Sequence, residues 1–241
     1  MMNRAVQYRR FGAPNVLEMV EVADAAPEAG EIRVAVRAVG LNPVDSKAFG
    51  GDPRLKLVES LHVVREPGRW FGRGPSRFPR GVARDLAGVV EAIGPQVTGL
   101  AVGDAILGTL RSAPGLGTKK GTLAEKAIAV ANDAIIKPEV LGFDVAASLG
   151  VAAQTASGAF RHLELSPSDV IVISAAAGGV GSLAAQLAVH KGATVIGIAG
   201  EQNADYLRTL GAIPVSHGKD VKARVLAAAP RSVTKMLDCF G

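Results

Sequence analysis

The sequence AAAGGVG at residues 175–181 is the stretch whose residue types and spacing best suit chemistry. It follows an apolar run, VIVIS (170–174), and precedes a helical pattern over residues 180–191. Glycines at such a turn let a phosphate approach the backbone, and the start of the helix presents unpaired N–H groups to it. The residues predicted to bind a dinucleotide are Ala177, Gly178, Gly179, Val180 and Gly181. The alternative is a purely structural turn.

The end of the next apolar run, TVIGIA (194–199), bears on which dinucleotide is bound. An acid there would bond the ribose 2′-OH of NAD and repel the 2′-phosphate of NADP. This chain has Ala199 and Gly200 instead, and we include both in the predicted cofactor site. The missing acid favours NADPH. Glu201 and the lack of a nearby Arg or Lys leave NADH possible.

Composition limits the class of protein. The chain has 241 residues, a formal net charge of +5 and 48% hydrophobic residues, which is enough for one large domain or two modest ones. Its single cysteine, Cys239, cannot form an internal disulfide and indicates a reducing compartment. The N-terminus lacks the apolar core of a signal peptide, and no apolar run reaches the ~20 residues of a membrane span. We expect a cytoplasmic protein that makes no membrane contact.

Residues 1–130 read mainly as short strands with glycine and proline at the corners. In EIRVAVRAV (31–39), apolar and charged residues alternate as in a half-exposed strand of an antiparallel sheet. Further strands are expected at 85–94, 104–110 and 122–130. Many short strands of this kind favour a small barrel or sandwich.

From about Asp144 the pattern changes to alternating helices and strands, which is typical of a parallel α/β sheet. Asp144 is expected to cap a helix over residues 144–163. The run VIVIS reads as a strand buried on both faces. The later elements expected are a helix at 180–191, a strand at 194–199, a short helix capped by Asn203, a strand at 213–216, a helix near 218–229 and a strand at 233–238.

These motifs resemble the medium-chain dehydrogenase/reductase superfamily, on its zinc-free quinone oxidoreductase and enoyl-reductase side. AAAGGVG carries the resemblance in the second half of the chain. The first half has the family's motifs in the family's order: VRAVGLNPVD (36–45), DLAGVVEAIG (85–94), VTGLAVGDAILG (97–108) and GTLAEKAIA (121–129). The resemblance implies a mixed α/β protein, with a GroES-like β-barrel domain at 1–130 and a Rossmann-type parallel sheet domain at 131–241. It also implies hydride transfer from NADPH to a quinone or α,β-unsaturated carbonyl compound.

The zinc-dependent branch of this superfamily does not match the residue inventory. Zinc sites need clustered cysteine and histidine ligands. The chain has Cys239 alone, and its four histidines are scattered without ligand spacing. We therefore expect no metal.

The segment LNPVD (41–45) and the residues after it supply the candidate catalytic residues, Asn42, Asp45 and Lys47. The resemblance implies that Asn42 contacts the nicotinamide and donates a hydrogen bond to the developing enolate oxygen. The alternative is a plain turn in which Asp45 caps the following helix, and for Asp45 this structural role is favoured.

Lys47 could protonate the product only if its pKa were lowered, and a solvated surface lysine is the favoured alternative. Phe49 stands where many relatives carry a tyrosine. Thr155 matches a family position that faces the cofactor. Its alternative is a helix-surface threonine bonded to its own backbone.

Residues 52–80 are expected to form a loop that departs from the family pattern. Six arginines between residues 65 and 84 are interleaved with Trp70, Phe71 and Phe78. Such a segment suits single-stranded nucleic acid. A loop that covers the active site or makes a subunit contact is the favoured interpretation.

The sequence ends at Gly241, after the fourth expected strand of the parallel sheet, whereas relatives continue. We expect a fragment, a natural truncation or a pseudoenzyme, with an unprotected sheet edge at residues 236–240. A small-molecule carbonyl or quinone substrate and a homo-oligomer are expected. The alternatives to an NADPH-dependent enzyme are a catalytically silent NADP(H)-binding or partner-binding protein and, less favoured, nucleic-acid binding.

Overall fold

The computed structural model describes residues 2–58, 78–110 and 121–240. The chain divides into two compact units, residues 1–151 and 152–241. The domain bounds expected above, 1–130 and 131–241, stay predictions.

The first unit is built from antiparallel strands. They are β1 (Met2–Tyr8), β2 (Leu17–Ala23), β3 (Glu31–Gly40), β4 (Arg80–Gly81), β5 (Asp85–Ile93), β6 (Ala105–Thr109), β7 (Lys126–Val130) and β8 (Ala134–Ile136). One sheet has the strand order β7-β3-β5-β6-β8, and the other has the order β2-β1-β4. The many short antiparallel strands predicted for this half are confirmed.

Strand β3 shows both the success and the limit of the alternation rule. Ile32 and Val34 are fully buried and pack in the core of the larger sheet, as predicted. The pairing of β3 with β5 shifts between Arg33 and Val34 and again between Val36 and Ala38. These irregularities interrupt the alternation, so Val36 is only partly buried.

The predicted strand at 122–130 is shorter in the structure, because only Lys126–Val130 pair as a strand. The preceding residues turn instead. The hydroxyl of Thr122 donates to the carbonyl of Asp85 at 3.0 Å, and Ala124 makes an isolated bridge to Ala5.

Helices of the first unit depart from the predictions in two places. Residues 53–58 are helical, although a loop was expected there. The single helix predicted at 144–163 is two helices, α2 (Phe143–Ser148) and α3 (Gly150–Leu163). The N-cap of α2 is Gly142, so the predicted capping role of Asp144 is wrong. Asp144 lies in the first turn of α2, where its charge still suits the helix dipole.

The break between α2 and α3 has a cause outside the helices. In a continuous helix the N–H of Val151 would donate to the carbonyl of Ala147. It donates instead to a carboxylate oxygen of Asp85, at 2.9 Å. Gly150 permits this approach, because a Cβ there would lie 2.2 Å from the other Asp85 oxygen. A side-chain acceptor from β5 therefore ends one helix and starts the next.

The second unit is a parallel α/β sheet. Its elements after α3 are β9 (Val170–Ile173), α4 (Gly179–His190), β10 (Thr194–Ala199), α5 (Ala204–Thr209), β11 (Ile213–Ser216), α6 (Val221–Ala228) and β12 (Lys235–Leu237). The strand order is β11-β10-β9-β12, with every described pair parallel. All four residues of β9 are buried, which confirms the strand predicted to be covered on both faces. Each element predicted after residue 165 is present within a few residues of its expected bounds.

The arginine-rich segment is described only in part. Arg65, Arg69, Arg73 and Arg77, with Trp70 and Phe71, lie outside the described residues. Arg80 is only 3% exposed, and its guanidinium lies 5.6 Å from the ring centre of Phe11 and 5.4 Å from that of Phe78. Arg80 is thus part of the first unit's interior and does not present its charge to a nucleic acid.

Within the described residues, no helix is long and apolar enough to cross a membrane.

The buried strand β9 should dominate the stability of the second unit. We expect Ile171→Ala to lower the free energy of unfolding by about 2–5 kcal/mol, because the fully buried side chain leaves a cavity. Met236→Ala in β12, where the side chain is 59% exposed, is the matched control and should cost much less. Urea unfolding of both variants measures the difference, and equal losses would contradict the burial argument.

Candidate functional site

The glycine turn lies at the carboxyl end of β9, directly before α4. The Ala176 N–H donates to the carbonyl of Ile198 at 3.0 Å, and the Gly178 N–H donates to that of Ala175 at 2.9 Å. Gly178 is the N-cap residue of α4 and makes no side-chain capping bond, and the first turn carries no acid. Because the first N–H groups of a helix have no intrahelical acceptor, those of α4 are available to an anion.

Two glycines of this turn, Gly179 and Gly181, differ in the space around them. A Cβ on Gly181 would lie 2.2 Å from the Ala175 carbonyl oxygen, so this glycine lets α4 pack against the turn. A Cβ on Gly179 would meet nothing within 4 Å. The space above Gly179 is therefore open, as a turn that admits a bulky phosphate group requires.

A hydroxyl–carboxylate pair holds the strand ends beside the turn. Ser174 directly precedes the turn, and its hydroxyl donates to the Asp238 carboxylate. The Cys239 N–H donates to the same hydroxyl oxygen at 2.9 Å. The Ser174 hydrogen bond lowers the pKa of Asp238, so this carboxylate stays ionised. The pair fixes β12 to β9 next to the predicted phosphate site.

Ala199 and Gly200 lie where the sequence predicts them, at the carboxyl end of the neighbouring strand β10. Ala199 ends β10 and is buried, and its carbonyl accepts the His217 N–H at 3.0 Å. Gly200 has φ −66°, a value that any residue adopts. A Cβ on Gly200 would meet only the flexible side chain of Gln202. The structure therefore brings Ala199 and Gly200 to the same sheet edge as Ala177–Gly181.

Asn42 and Asp45 are brought together in the first unit, at the start of α1 (Pro43–Gly50). Asn42 is the N-cap residue, and its backbone N–H donates to the Asp45 carboxylate at 2.7 Å. This contact is the carboxylate half of a capping box. It supports the structural alternative for Asp45.

Asp45 is a buried acid with a perturbed titration. Burial raises the pKa of its carboxyl above the ordinary value. The Asn42 N–H that it accepts and the positive charge of Arg84 oppose the rise, and the charge of Asp85 adds to it. Asp45 therefore carries its charge less readily than an exposed aspartate.

Asp85 is the residue of this region that the sequence reasoning missed. It is 1% exposed. One carboxylate oxygen accepts the Thr109 hydroxyl at 2.8 Å; the other accepts the Asn42 side-chain amide and the Val151 N–H, both at 2.9 Å. The available signal was a lone acid opening an apolar strand, DLAGVV, a position where charge needs partners.

Lys47 and Thr155 are both exposed in the structure. Lys47 lies in the last turn of α1, which suits the alternative of a solvated lysine. Thr155 lies on α3 next to the buried Ala156. Their predicted roles stay predictions. Of the two tyrosines, Tyr8 is buried among Phe11, Phe49 and Phe78.

A cavity of about 180 Å³ in the first unit is lined by none of the predicted site residues. Each of the two charged side chains that line it is paired with an acid outside the lining: Lys126 bonds Asp24 at 2.7 Å, and Arg33 approaches Glu91 at 3.5 Å. The hydrogen bond to Asp24 raises the pKa of Lys126 and keeps the pair ionised. These groups hold strands together and do not point to catalysis.

Comparison with known proteins decides the family. Residues 28–139 match the alcohol dehydrogenase GroES-like domain. The chain is 34% identical over 215 residues to a chloroplastic quinone-oxidoreductase homolog of Spinacia oleracea, covering 86% of this chain and 59% of the relative. The quinone oxidoreductase structure from Coxiella burnetii is similar with a TM-score of 0.80 and 31% identity, over 100% of this chain and 69% of that one.

The chain belongs to the medium-chain dehydrogenase/reductase superfamily, in its quinone oxidoreductase type. The predicted fold class, a GroES-like domain followed by a Rossmann-type parallel sheet, is confirmed.

Further similarity links the fold to a cofactor complex. The Escherichia coli quinone oxidoreductase complexed with NADPH matches with a TM-score of 0.73 and 26% identity, over 93% of this chain and 62% of that one. The chain spans 59% of the length of the spinach relative, which is a chloroplastic protein.

Among residues 2–58, 78–110 and 121–240 no group of three or more His, Cys, Asp or Glu side chains could hold a metal ion.

Substitution by alanine should lower stability at Gly181 but not at Gly179. Gly181→Ala should lower the free energy of unfolding by about 1–3 kcal/mol, because the new Cβ collides with backbone. Gly179→Ala should leave stability within about 0.5 kcal/mol, because the space is open. Thermal unfolding of both variants tests the assignment, and comparable losses would refute it.

Two substitutions test the structural role of Asp45 as the acceptor of the Asn42 N–H. Asp45→Ala removes the acceptor of the Asn42 N–H and should cost about 0.5–2 kcal/mol. Asp45→Asn keeps an acceptor without a charge. Since the folded-state pKa of Asp45 is raised, the unaltered chain loses stability as pH rises from the unfolded value, about 3.9, through the folded one.

The stability of Asp45→Asn relative to the unaltered chain should therefore improve between pH 4 and pH 7. Urea unfolding across this range measures it. A relative stability that falls with pH would mean that the ionised carboxylate is favoured in the fold.

Proposed function

We propose that the chain is an NADPH-dependent oxidoreductase that transfers a hydride to a quinone or an α,β-unsaturated carbonyl compound without zinc. The observation that carries the proposal is the uncapped glycine turn at the start of α4, with open space above Gly179. Membership of the quinone oxidoreductase type and the NADPH complex of the Escherichia coli relative support the reaction class.

The residues of the turn fit the cofactor's pyrophosphate. The N–H groups of Gly179, Val180 and Gly181 begin α4, and the partial positive charge of the helix start attracts phosphate. Ala177 and Gly178 directly precede these residues, and Gly178 is the N-cap of α4. When bound, NADPH supplies the hydride.

The residues at the end of β10 would receive the adenosine ribose. Ala199 and Gly200 offer no carboxylate to a ribose 2′-OH, so nothing at this position repels a 2′-phosphate. Glu201 follows Gly200 and is exposed. NADPH is therefore the proposed cofactor, and weaker use of NADH is compatible with the site.

Asn42 is the residue proposed to act at the reacting carbonyl. Its side-chain nitrogen has two hydrogens, and Asp85 accepts one of them. The second can donate to the oxygen on which negative charge develops as the β-carbon of an enone accepts hydride. A proton from solvent or Lys47 then completes the reduction. Thr155 is proposed to contact the cofactor.

The absence of zinc is supported by the residue inventory. A catalytic zinc in this superfamily needs cysteine and histidine ligands, and the chain has one cysteine, Cys239, at the end of the parallel sheet. Burial raises the pKa of the Cys239 thiol, which makes it a poor ligand.

Location and assembly stay proposals. We retain the cytoplasm as the proposed compartment and a homo-oligomer as the proposed assembly, beside the chloroplastic location of the spinach relative.

Binding and turnover should be measured separately. Titration with NADPH, followed by nicotinamide fluorescence, should saturate, and NADH should bind more weakly. Loss of nicotinamide absorbance with a panel of quinones and enones then reports turnover. Saturable binding with no turnover across the panel would favour the catalytically silent alternative, and absence of binding would reject both.

The cofactor preference can be tested at Gly200. Gly200→Asp should weaken NADPH binding by about 10-fold or more, because the new charge faces the 2′-phosphate, while NADH binding is retained or improved. Gly200→Ala is the matched control, since φ −66° accommodates any side chain. Equal losses for both cofactors in Gly200→Asp would contradict the assignment of the ribose site.

A further inference from the structure

Asp85 is a buried carboxylate for which the proposed reaction has no direct use. It is the first residue of β5. Its carboxylate accepts hydrogen bonds from three separate segments: Asn42 before α1, Thr109 at the end of β6, and Val151 in the first turn of α3. Burying a carboxylate is unfavourable unless hydrogen bonds compensate it. All three contacts at 2.8–2.9 Å meet this demand.

The chemistry of the three partners selects a carboxylate. The Asn42 amide nitrogen, the Thr109 hydroxyl and the Val151 N–H all act as donors here. An ionised carboxylate is acceptor-only, so it satisfies all three. An amide in its place would turn its own NH₂ toward at least one donor.

The same property fixes the orientation of Asn42. The amide oxygen of Asn42 would be repelled by the carboxylate, so the nitrogen must face Asp85. The backbone of Asn42 is held independently, through its N–H to Asp45 at 2.7 Å. Asn42 is thus anchored at both ends, and the directions of its amide oxygen and its second N–H bond are set.

The packing around Asp85 leaves it little freedom to move. A Cβ on Gly40 would lie 2.9 Å from the Asp85 Cβ, and one on Gly150 would lie 2.2 Å from its carboxylate oxygen. Two glycines from separate segments therefore pack closely against the same acid. Rotation of the carboxylate would break all three hydrogen bonds together.

We propose that Asp85 is a positioning residue, which orients the amide of Asn42 for the reduction proposed above. This inference rests on the proposed function where it concerns turnover. The orientation of Asn42 itself rests only on the contacts among Asn42, Asp85 and their neighbours.

The kinetic test is a double-mutant cycle on the full chain, with NADPH and a quinone that the unaltered chain reduces. Asn42→Ala should lower kcat by about 100-fold, the usual loss of an oxyanion donor. Asp85→Asn should lower kcat by about 10-fold or more with little change in the KM for NADPH. The double variant should equal Asn42→Ala within about 2-fold, because Asp85 acts through Asn42.

The outcomes separate the two proposals. If Asp85→Asn lowers kcat by the same factor with and without Asn42, the positioning role is overturned while the proposed function stands. If Asn42→Ala leaves kcat unchanged, Asn42 has no catalytic role, and the positioning role of Asp85 in turnover is overturned with it. Asp169→Asn is the control, since this acid is also buried and accepts the Ser166 N–H at 2.8 Å. It should lose stability with unchanged kcat.

A second measurement needs neither turnover nor a folded Asp85 variant. Asn42→Asp places a new carboxyl against Asp85, where like charge raises the pKa of the introduced group above about 3.9. The protonated form can still donate to Asp85. Stability should therefore be nearest normal at low pH and be lost as pH rises through the raised pKa.

The measurement is the Tm of Asn42→Asp minus that of Asn42→Ala, between pH 5 and pH 8. Of the described residues, Asp45, Arg84 and Asp85 place charge near position 42, and both variants retain them, so their titration largely cancels. The difference should fall by a few degrees as pH rises. A difference that stays flat would overturn the contact between Asn42 and Asp85.

Discussion

A buried carboxylate must be hydrogen-bonded, and the break between α2 and α3 follows from how Asp85 meets that demand. One of its oxygens accepts the Val151 N–H in place of a helix carbonyl, and a helix predicted to be continuous breaks at Leu149. Its neighbours at 40 and 150 must be glycines, because side chains there would collide with the acid or with nearby backbone. The backbone carbonyl of Asp85 also accepts the Thr122 hydroxyl, at 3.0 Å, in the segment before β7. The carboxylate of Asp85 thus explains why the helix predicted at 144–163 is broken.

In the second unit the unsatisfied groups are hydrogen-bond donors, the first backbone N–H groups of α4. A parallel sheet places strand ends and helix starts at the same edge, so the N–H groups of α4 meet the end of β9. Side chains could cap them, yet the capping position is Gly178 and the first turn has no acid. The turn packs closely against the chain at Gly181, whereas the space beside Gly179 is open. Because the start of α4 is not capped by a side chain, we propose it as the anion site.

The second unit was readable from sequence because its signals are local. The apolar run of β9, the glycines and the stripe of α4 act within about a dozen residues, and all were predicted. The predictions of a capping role for Asp144 and of a single helix at 144–163 were wrong because the deciding contact is not local. The acceptor of the Val151 N–H lies 66 residues away along the chain. Local pattern cannot reveal such a partner, and it equally concealed Asp85 behind an ordinary strand motif.

Charge balance decides whether the amide of Asn42 can stabilise a developing oxyanion. Two carboxylates, Asp45 and Asp85, flank it, and both would oppose new negative charge nearby. Burial raises the pKa of Asp45, and the positive charge of Arg84 opposes that rise. A buried nitrogen of Arg84, Nη2, has no hydrogen-bond partner among the described residues, so a donor remains unused there. The side-chain amide of Asn42 is held in a fixed orientation by Asp85, as the oxyanion stabilisation proposed above requires.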